Sequence, residues 1–395
     1  MYFNSYDIAL ILFWTSLGIL FYTYIGYGII IYIFNLFMPK TKRNFQSSNE
    51  WPHITFLVAA YNESDFILEK IYNTIDLDYP REKLQFFVVS DGSDDDTPDK
   101  VKKFNNVRLF HQAERKGKIH AVNRVMHFVD TPYVVFSDAN TMLNKSALKQ
   151  MIGHYRDEKV GGVSGEKRIV DKAKDNASGS GEGLYWKYES FLKRMDSDLH
   201  SMVGSAGELF SIRTSLYEPP KEDMVIEDFY ISMRIAARGF KFVYEPNAMA
   251  TETASASVID EWKRKVRISA GGIQAIIRLS TLLNMFKYGM LSFQYISHRV
   301  LRWTLAPLSL LILFVANVYI VAFGPALYSL FMMGQLFFYL MAALGYFLRD
   351  QNISIKGFFV PFYFAMMNFA VYAGVFRYIN KKQAVTWEKT KRAIA

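Results

Sequence analysis

Residues 84–98 read LQFFVVSDGSDDDTP. Leu84–Ser90 is a continuous apolar run of strand length that ends at Asp91. Asp95-Asp96-Thr97-Pro98 then supplies a helix N-cap with proline in the first turn. A buried strand that delivers an acid at its carboxyl end and turns into a helix is the repeating unit of an α/β sheet. The unit recurs on both sides. Upstream, Ile54–Ala60 is an apolar run ending at Tyr61-Asn62-Glu63, and a helical pattern follows to Ile75. Downstream, Val107–Phe110 is a short third strand, followed by a helix from Lys118 towards Phe128. Tyr133–Ser137 is a fourth strand, ending at Asp138. The alternation predicts an α/β domain with a mostly parallel sheet.

Polar residues gather where these strands end: Asn62 and Glu63, then Asp91, then Asp138 and Asn140. Any one of them reads equally well as a helix cap. Three successive strands bringing acids to one edge fit a ligand site better, because ligands in open α/β sheets bind outside the strand carboxyl ends.

Outward from this domain the composition changes. Of 395 residues, 51% are hydrophobic and 21% charged, yet Ile8–Pro39, Thr304–Leu348 and Gly357–Phe376 carry no charge at all. The mean hydropathy of +0.05 averages over these windows and a charged remainder. A charge-free apolar run of about 20 residues is long enough to cross a bilayer, which excludes a purely soluble protein. Met1–Asp7 has no basic residue and the first run is long, so a retained anchor is expected rather than a cleaved leader. Gly324-Pro325 divides the second window into a helical hairpin, Thr304–Phe323 and Tyr328–Leu348. Lys40, Lys42 and Arg43 place the chain after the first span in the cytoplasm. Four spans put the C-terminus outside, whereas Lys381, Lys382, Lys389, Lys391 and Arg392 favour the inside; the sequence leaves this open.

The net charge of +9 is uneven. The stretch 44–259 is acidic, and the basic excess flanks the apolar windows, where anionic headgroups attract Lys and Arg. A nucleic-acid partner is not expected, since its footprint belongs on the folded domain. Cysteine is absent, which excludes disulfides and thiolate chemistry. The expected organisation is an anchor at 1–39, an α/β domain at 50–257, basic interfacial helices at 258–303, three spans at 304–376 and a basic tail at 377–395.

Several motifs carry chemistry. SDGSDDD at 90–96 fails as a calcium loop, because Gly92 falls second and Lys102 stands at the twelfth position. Arg115-Lys116-Gly117-Lys118 lacks the upstream glycine of a phosphate loop. Asp138-Ala139-Asn140 directly after a strand suits a hard divalent cation bridging to a diphosphate. Lys118 at a helix start suits the same diphosphate, or solvent. Glu227-Asp228 opens a helix running from Phe229 to Arg238, either complementing its dipole or supplying a general base. Arg264-Lys265-Val266-Arg267, near Trp262, reads as headgroup-binding decoration or as a clamp on a leaving diphosphate.

In order and spacing these pieces resemble a membrane-embedded family 2 glycosyltransferase of the polysaccharide-synthase kind. The resemblance covers residues 52–275 and rests on VAAYNE (58–63), VVSDGS (88–93), Gly117-Lys118, FSDAN (136–140), SAGE (205–208), Glu227-Asp228 and RKVR (264–267). It implies a GT-A fold, a Rossmann-like and mostly parallel α/β domain, beside transmembrane helices. It implies that Tyr61, Glu63 and Asp91 hold the nucleotide, that Lys118 approaches the diphosphate, and that Asp138, with Asn140, holds a Mg2+ or Mn2+ ion. Gly207 and Glu208 would lie beside the acceptor, Asp228 with Glu227 would be catalytic, and Arg264, Lys265 and Arg267 would cover the diphosphate. The implied activity is inverting transfer from a nucleotide sugar, UDP-linked, at the cytoplasmic face of the cell membrane. The acceptor is a growing surface polysaccharide or a lipid-linked carbohydrate, with export or regulatory subunits as further partners. Two departures stand out: Asn140 replaces the second acid of the D-x-D pattern, and Ile268 stands where processive synthases carry tryptophan. A non-catalytic nucleotide-binding subunit is the rival from another class, opposed by the intact Asp91, Asp138 and Asp228. A transporter is disfavoured because the spans hold no ionisable residue.

Overall fold

The computed structural model describes residues 4–38, 50–170, 177–253, 257–349 and 356–381. Lys40, Lys42, Arg43 and the tail beyond Lys381 lie outside the described residues.

The first four strands form where the apolar runs place them: β1 (Ile54–Ala60), β2 (Leu84–Asp91), β3 (Val107–Gln112) and β4 (Tyr133–Asp138). β1 pairs in parallel with β2 and β4, and β2 with β3. Alternate residues serve opposite faces. Phe56, Val58, Phe86 and Val88 pack with Ile67 and Ile71 from the Ile67–Ile75 helix. Leu57, Phe87 and Val89 pack with Ile119, Val122 and Val125 from the Lys118–Met126 helix.

Four further strands complete the sheet: β5 (Met142–Leu143), β6 (Val160–Val170), β7 (Leu209–Arg213) and β8 (Lys241–Thr253). The spatial order is β3-β2-β1-β4-β7-β6-β8-β5. β7 runs antiparallel to β4 and β6, β5 antiparallel to β8, and β6 parallel to β8. The sheet is thus a parallel half joined to a mixed half. This reversal matters for the site: Leu209 at the start of β7 lies opposite Ser137 at the end of β4. The segment before β7 therefore arrives at the same edge as Asp91 and Asp138.

Three helices are long and apolar enough to cross a membrane: Ser5–Phe37, Ala326–Leu348 and Gly357–Ile379. A pair bent by 51°, Met290–Trp303 with Leu305–Val321, counts as a fourth if taken as one broken span. The expected hairpin thus appears as Leu305–Val321 and Ala326–Leu348, separated at Gly324-Pro325. Phe21, Leu336 and Phe337 are among the large apolar side chains left exposed on these helices. Against one another the helices bury Phe13, Leu313, Ala316 and Ile320. The Ser5–Phe37 helix widens into a π-helical turn at Tyr22–Gly26, as the Met290–Trp303 helix does at Ile296–Val300. Tyr22 and Ser297 hydrogen-bond between the two turns at 2.7 Å.

The Val258–Arg278 helix packs along the C-terminal Lys356–Ile379 helix. Gly374 permits the close approach, since a Cβ there would lie 2.7 Å from Ser269 Cβ and 2.8 Å from Ala270 N.

Candidate active site

Lys118 is placed by a chain of local constraints. Gly117 takes a φ of +101°, which glycine adopts without steric cost. The Asp91 carboxylate accepts hydrogen bonds from Lys116 N at 2.9 Å and Gly117 N at 2.7 Å. Asp91 at the end of β2 therefore fixes the loop that launches the Lys118 helix. Lys118 Nζ then reaches Asp138 Oδ1 at 2.8 Å and Glu227 Oε1 at 3.0 Å. Burial works against the Lys118 charge, but Asp138 and Glu227 outweigh it and raise its pKa above the usual 10.5.

Asp138 sits on a braced turn. The wholly buried Lys70 donates to Ser137 Oγ at 2.8 Å and to Thr141 O at 2.6 Å. Burial lowers the Lys70 pKa to about 7, with Asp138 pulling the other way. Burial also raises the Asp138 pKa, opposed by Lys118.

The 204–208 loop is stitched to the Glu227–Ala237 helix. Ser205 N donates to Ser232 Oγ at 3.0 Å, and Ser205 Oγ donates to Asp228 O at 2.7 Å. Gly204 takes a φ of +79°, and a Cβ there would run into the Phe229 ring. Gly207 is open to Asp228 Oδ2 and Lys118 Nζ, each 3.4 Å from where its Cβ would stand. Glu227 holds Lys118, while burial and then the Glu227 charge raise the Asp228 pKa to about 7. Glu208 pairs with the buried Lys167 of β6, which pairs also with Glu252 of β8. Burial pushes the Glu208 pKa up, but Lys167 outweighs it and holds the carboxyl well below 4.5.

Arg264 and Lys265 are buried, at 7% and 4% exposure. Arg264 Nε and Nη2 both reach the Glu261 carboxylate at 2.9 Å, and Lys265 Nζ reaches it at 3.4 Å. With Arg267, they face an interior cavity rather than a bilayer surface. Burial lowers the Arg267 pKa from 12.5, countered by Glu227 and Asp228.

That cavity, of about 610 Å3, gathers Lys118, Asp138, Gly207, Glu208, Glu227, Asp228, Arg264, Lys265 and Arg267. A smaller cleft beside it holds Tyr61, Asp91, Arg115, Gly117 and Lys118. Arg115 stacks 3.6 Å above the Tyr61 ring centroid there. Glu63 and Asn140 line neither; Glu63 instead uses its carbonyl to receive Phe66 N and Ile67 N at the start of the next helix. Sequence reasoning missed Lys70, Lys167 and Glu261, which stand outside the motifs, and it set Arg115 aside with the incomplete phosphate loop.

Residues 55–219 match the model of "Glycosyl transferase family 2". Curated relatives include the poly-beta-1,6-N-acetyl-D-glucosamine synthase of Staphylococcus aureus (strain MSSA476), 30% identical over 240 residues, covering 58% of this chain and 57% of the relative. The Staphylococcus epidermidis synthase of the same name is 27% identical over 236 residues, covering 57% of this chain and 56% of its own. The chain thus spans less than two thirds of the length of these relatives. Among solved structures, the mannosyltransferase PcManGT from Pyrobaculum calidifontis, in complex with GDP-Man and Mn2+, superposes with a TM-score of 0.70 at 20% identity. That match covers 95% of this chain and 99% of the other. The mixed sheet with acids gathered at one edge is a GT-A fold, and the stretch that resembles family 2 glycosyltransferases, residues 55–219, lies within it, among apolar helices.

Proposed function

We propose that this protein transfers a sugar from a nucleotide sugar to an acceptor hydroxyl, with inversion, on the cytoplasmic face of a membrane. The observation that carries the reading is Asp228, its pKa raised to about 7, in one cavity with Lys118, Asp138, Arg264, Lys265 and Arg267. Asp228 takes the proton of the acceptor hydroxyl, whose oxygen attacks the anomeric carbon. The bond from that carbon to the diphosphate breaks, and the nucleoside diphosphate leaves against Lys118 and Arg267. Tyr61, Arg115 and Asp91 mark the side on which the nucleoside would lie. Glu208, fixed by Lys167, and Gly207 border the acceptor.

A divalent cation belongs to this reading. Among the described residues no three His, Asp or Glu side chains cluster to hold a metal. Asp138 gives one oxygen to Lys118 and keeps the other, and Asn140 follows in the same turn. That set fits a Mg2+ or Mn2+ that draws its other ligands from the diphosphate and water. Such a cation would offset the charge that develops on the leaving group. Chelation is expected to cut transfer by about 10²-fold, given several kcal/mol of charge stabilisation from a bound cation. Added Mn2+ or Mg2+ restores it; Asp138→Asn gives the same loss without rescue. Unchanged transfer in excess chelator overturns metal use.

The named product of the staphylococcal relatives makes an N-acetylglucosaminyl donor the first to try, and a surface polysaccharide the first product. Full-length protein in bilayer vesicles, given a panel of radiolabelled nucleotide sugars, should release nucleotide and label an acceptor with one of them. Products of many sugars support a synthase; a single added sugar supports transfer to a lipid-linked acceptor. No turnover with any donor sinks the enzymatic reading in favour of a nucleotide-binding subunit.

A further inference from the structure

Along the Ile67–Ile75 helix, residues 67, 70, 71 and 74 are spaced to share one face, and all four are buried. Ile67 and Ile71 pack into the core, as that spacing predicts. Lys70 stands between them with no exposed surface. Lysine is almost never fully buried unless it is paired, and a buried charge costs stability. Among the described residues no carboxylate lies within ion-pair distance of Lys70 Nζ. Its polar contacts are Ser137 Oγ and Thr141 O, and the Phe56 ring centroid lies 5.3 Å away. A methionine would fill this place without the charge, so packing does not account for the lysine.

The bonds beyond Lys70 do. Ser137 Oγ, which accepts from Lys70, donates its own proton to Glu208 O at 2.9 Å. Thr141 Oγ1 donates to Asp138 O at 2.9 Å and stands 3.1 Å from Ser137 Oγ. Ser137 and Thr141 are themselves buried. The network stands behind the cavity wall that Asp138, Gly207 and Glu208 form. It joins the turn that carries Asp138 to the loop that carries Gly207 and Glu208. The β4–β7 ladder reaches this point and stops there, at Ser137 opposite Leu209. Past that pair, side-chain hydrogen bonds carry the join.

We propose that Lys70 is a positioning residue that, through Ser137 and Thr141, sets the register between the donor side of the cavity at Asp138 and the acceptor side at Gly207 and Glu208. The proposal rests on the transferase reading above. An ammonium suits the task because one compact group donates to both atoms of the turn at once. Losing it has a particular consequence. With the two sides out of register, water attacks the anomeric carbon in place of the acceptor hydroxyl. The bond from that carbon to the diphosphate breaks, the water proton passes to Asp228, and free sugar and nucleoside diphosphate result. Transfer suffers more than hydrolysis, since transfer alone needs both sides aligned.

Full-length wild type, Lys70→Met, Ser137→Ala and the double variant are compared in detergent by hydrogen exchange, read by mass spectrometry, and by product analysis. In Lys70→Met, segments 138–143 and 204–210 should exchange about tenfold faster while β1 and β2 keep their protection. Transfer should fall about 10²-fold, the effect of a misplacement of about 1 Å, and hydrolysis of the donor should fall less. The ratio of hydrolysis to transfer should rise in both single variants and no further in the double, because both cut one linkage. Faster exchange across the whole domain, or none at 204–210, overturns the proposal. So does hydrolysis that falls in step with transfer, or losses that add in the double variant. If Lys70→Met does not fold, Ser137→Ala decides alone, since it cuts the bond to Glu208 O and leaves Lys70 in place. A wild type that turns over no donor fails the transferase reading. The exchange result then still decides whether Lys70 joins the two loops.

Discussion

Asp228→Asn is expected to lower sugar transfer by about 10³-fold, within the range of roughly 10² to 10⁴ for a positioned proton acceptor. The amide keeps the shape of the carboxylate but cannot take the hydroxyl proton. Folding should be little affected, since Ser205 holds this position through the Asp228 backbone oxygen rather than its side chain. The pH profile supplies an independent reading. Burial and Glu227 raise the Asp228 pKa to about 7, and the base must be ionised to work. Wild-type transfer should therefore climb with pH up to about 7 and then level off. The variant should lack that limb. A variant that transfers sugar at near wild-type rate, in protein that still inserts in membranes, would remove Asp228 from the role of base.

Lys167→Met is expected to destabilise the domain by about 3–5 kcal/mol, the usual cost of stripping one partner from a buried ion network. Lys167 is 4% exposed and stands between Glu208 and Glu252. Without it, the buried Glu252 and the partly buried Glu208 lose the cation they share. Adding Glu208→Gln and Glu252→Gln to Lys167→Met should recover most of the loss, because neutral replacement of a whole buried network costs little. Thermal unfolding in detergent compares the three proteins. A single variant as stable as wild type would show that the network is solvated rather than buried.

The parallel half of the sheet is legible in the sequence because β1, β2 and β4 are unbroken apolar runs that end on polar residues. The mixed half is not. Gly161 and Gly162 interrupt β6, Pro246 and Asn247 interrupt β8, and the charges on both strands read as solvent-facing. Lys167 and Glu252 are in fact paired inside, a fact that depends on β6 lying beside β7 and β8. For the site, Lys118, Asp138, Gly207, Glu208, Glu227, Asp228 and the 264–267 basics come together as their motifs suggest. Glu63 and Asn140 do not join them in the cavity wall. Arg264 and Lys265 could be read two ways from spacing; Glu261, one turn earlier, turns them inward. The far wall was beyond local pattern altogether, since Tyr24, Arg299 and Tyr363 are distant in the chain and meet only through helix packing.

The contact at Gly374 couples two things usually treated apart. The helix that carries Arg264, Lys265 and Arg267 touches the C-terminal apolar helix backbone to side chain, with no room for a methyl group between them. Close packing of this kind resists sliding, so the pair tilts as one body. In a bilayer, the tilt of a spanning helix answers to the thickness of the hydrocarbon slab. On the proposed reading, a change of tilt would carry the guanidinium groups of Arg264 and Arg267 with it, relative to the leaving diphosphate. The apolar helices would then act as a lever rather than a tether.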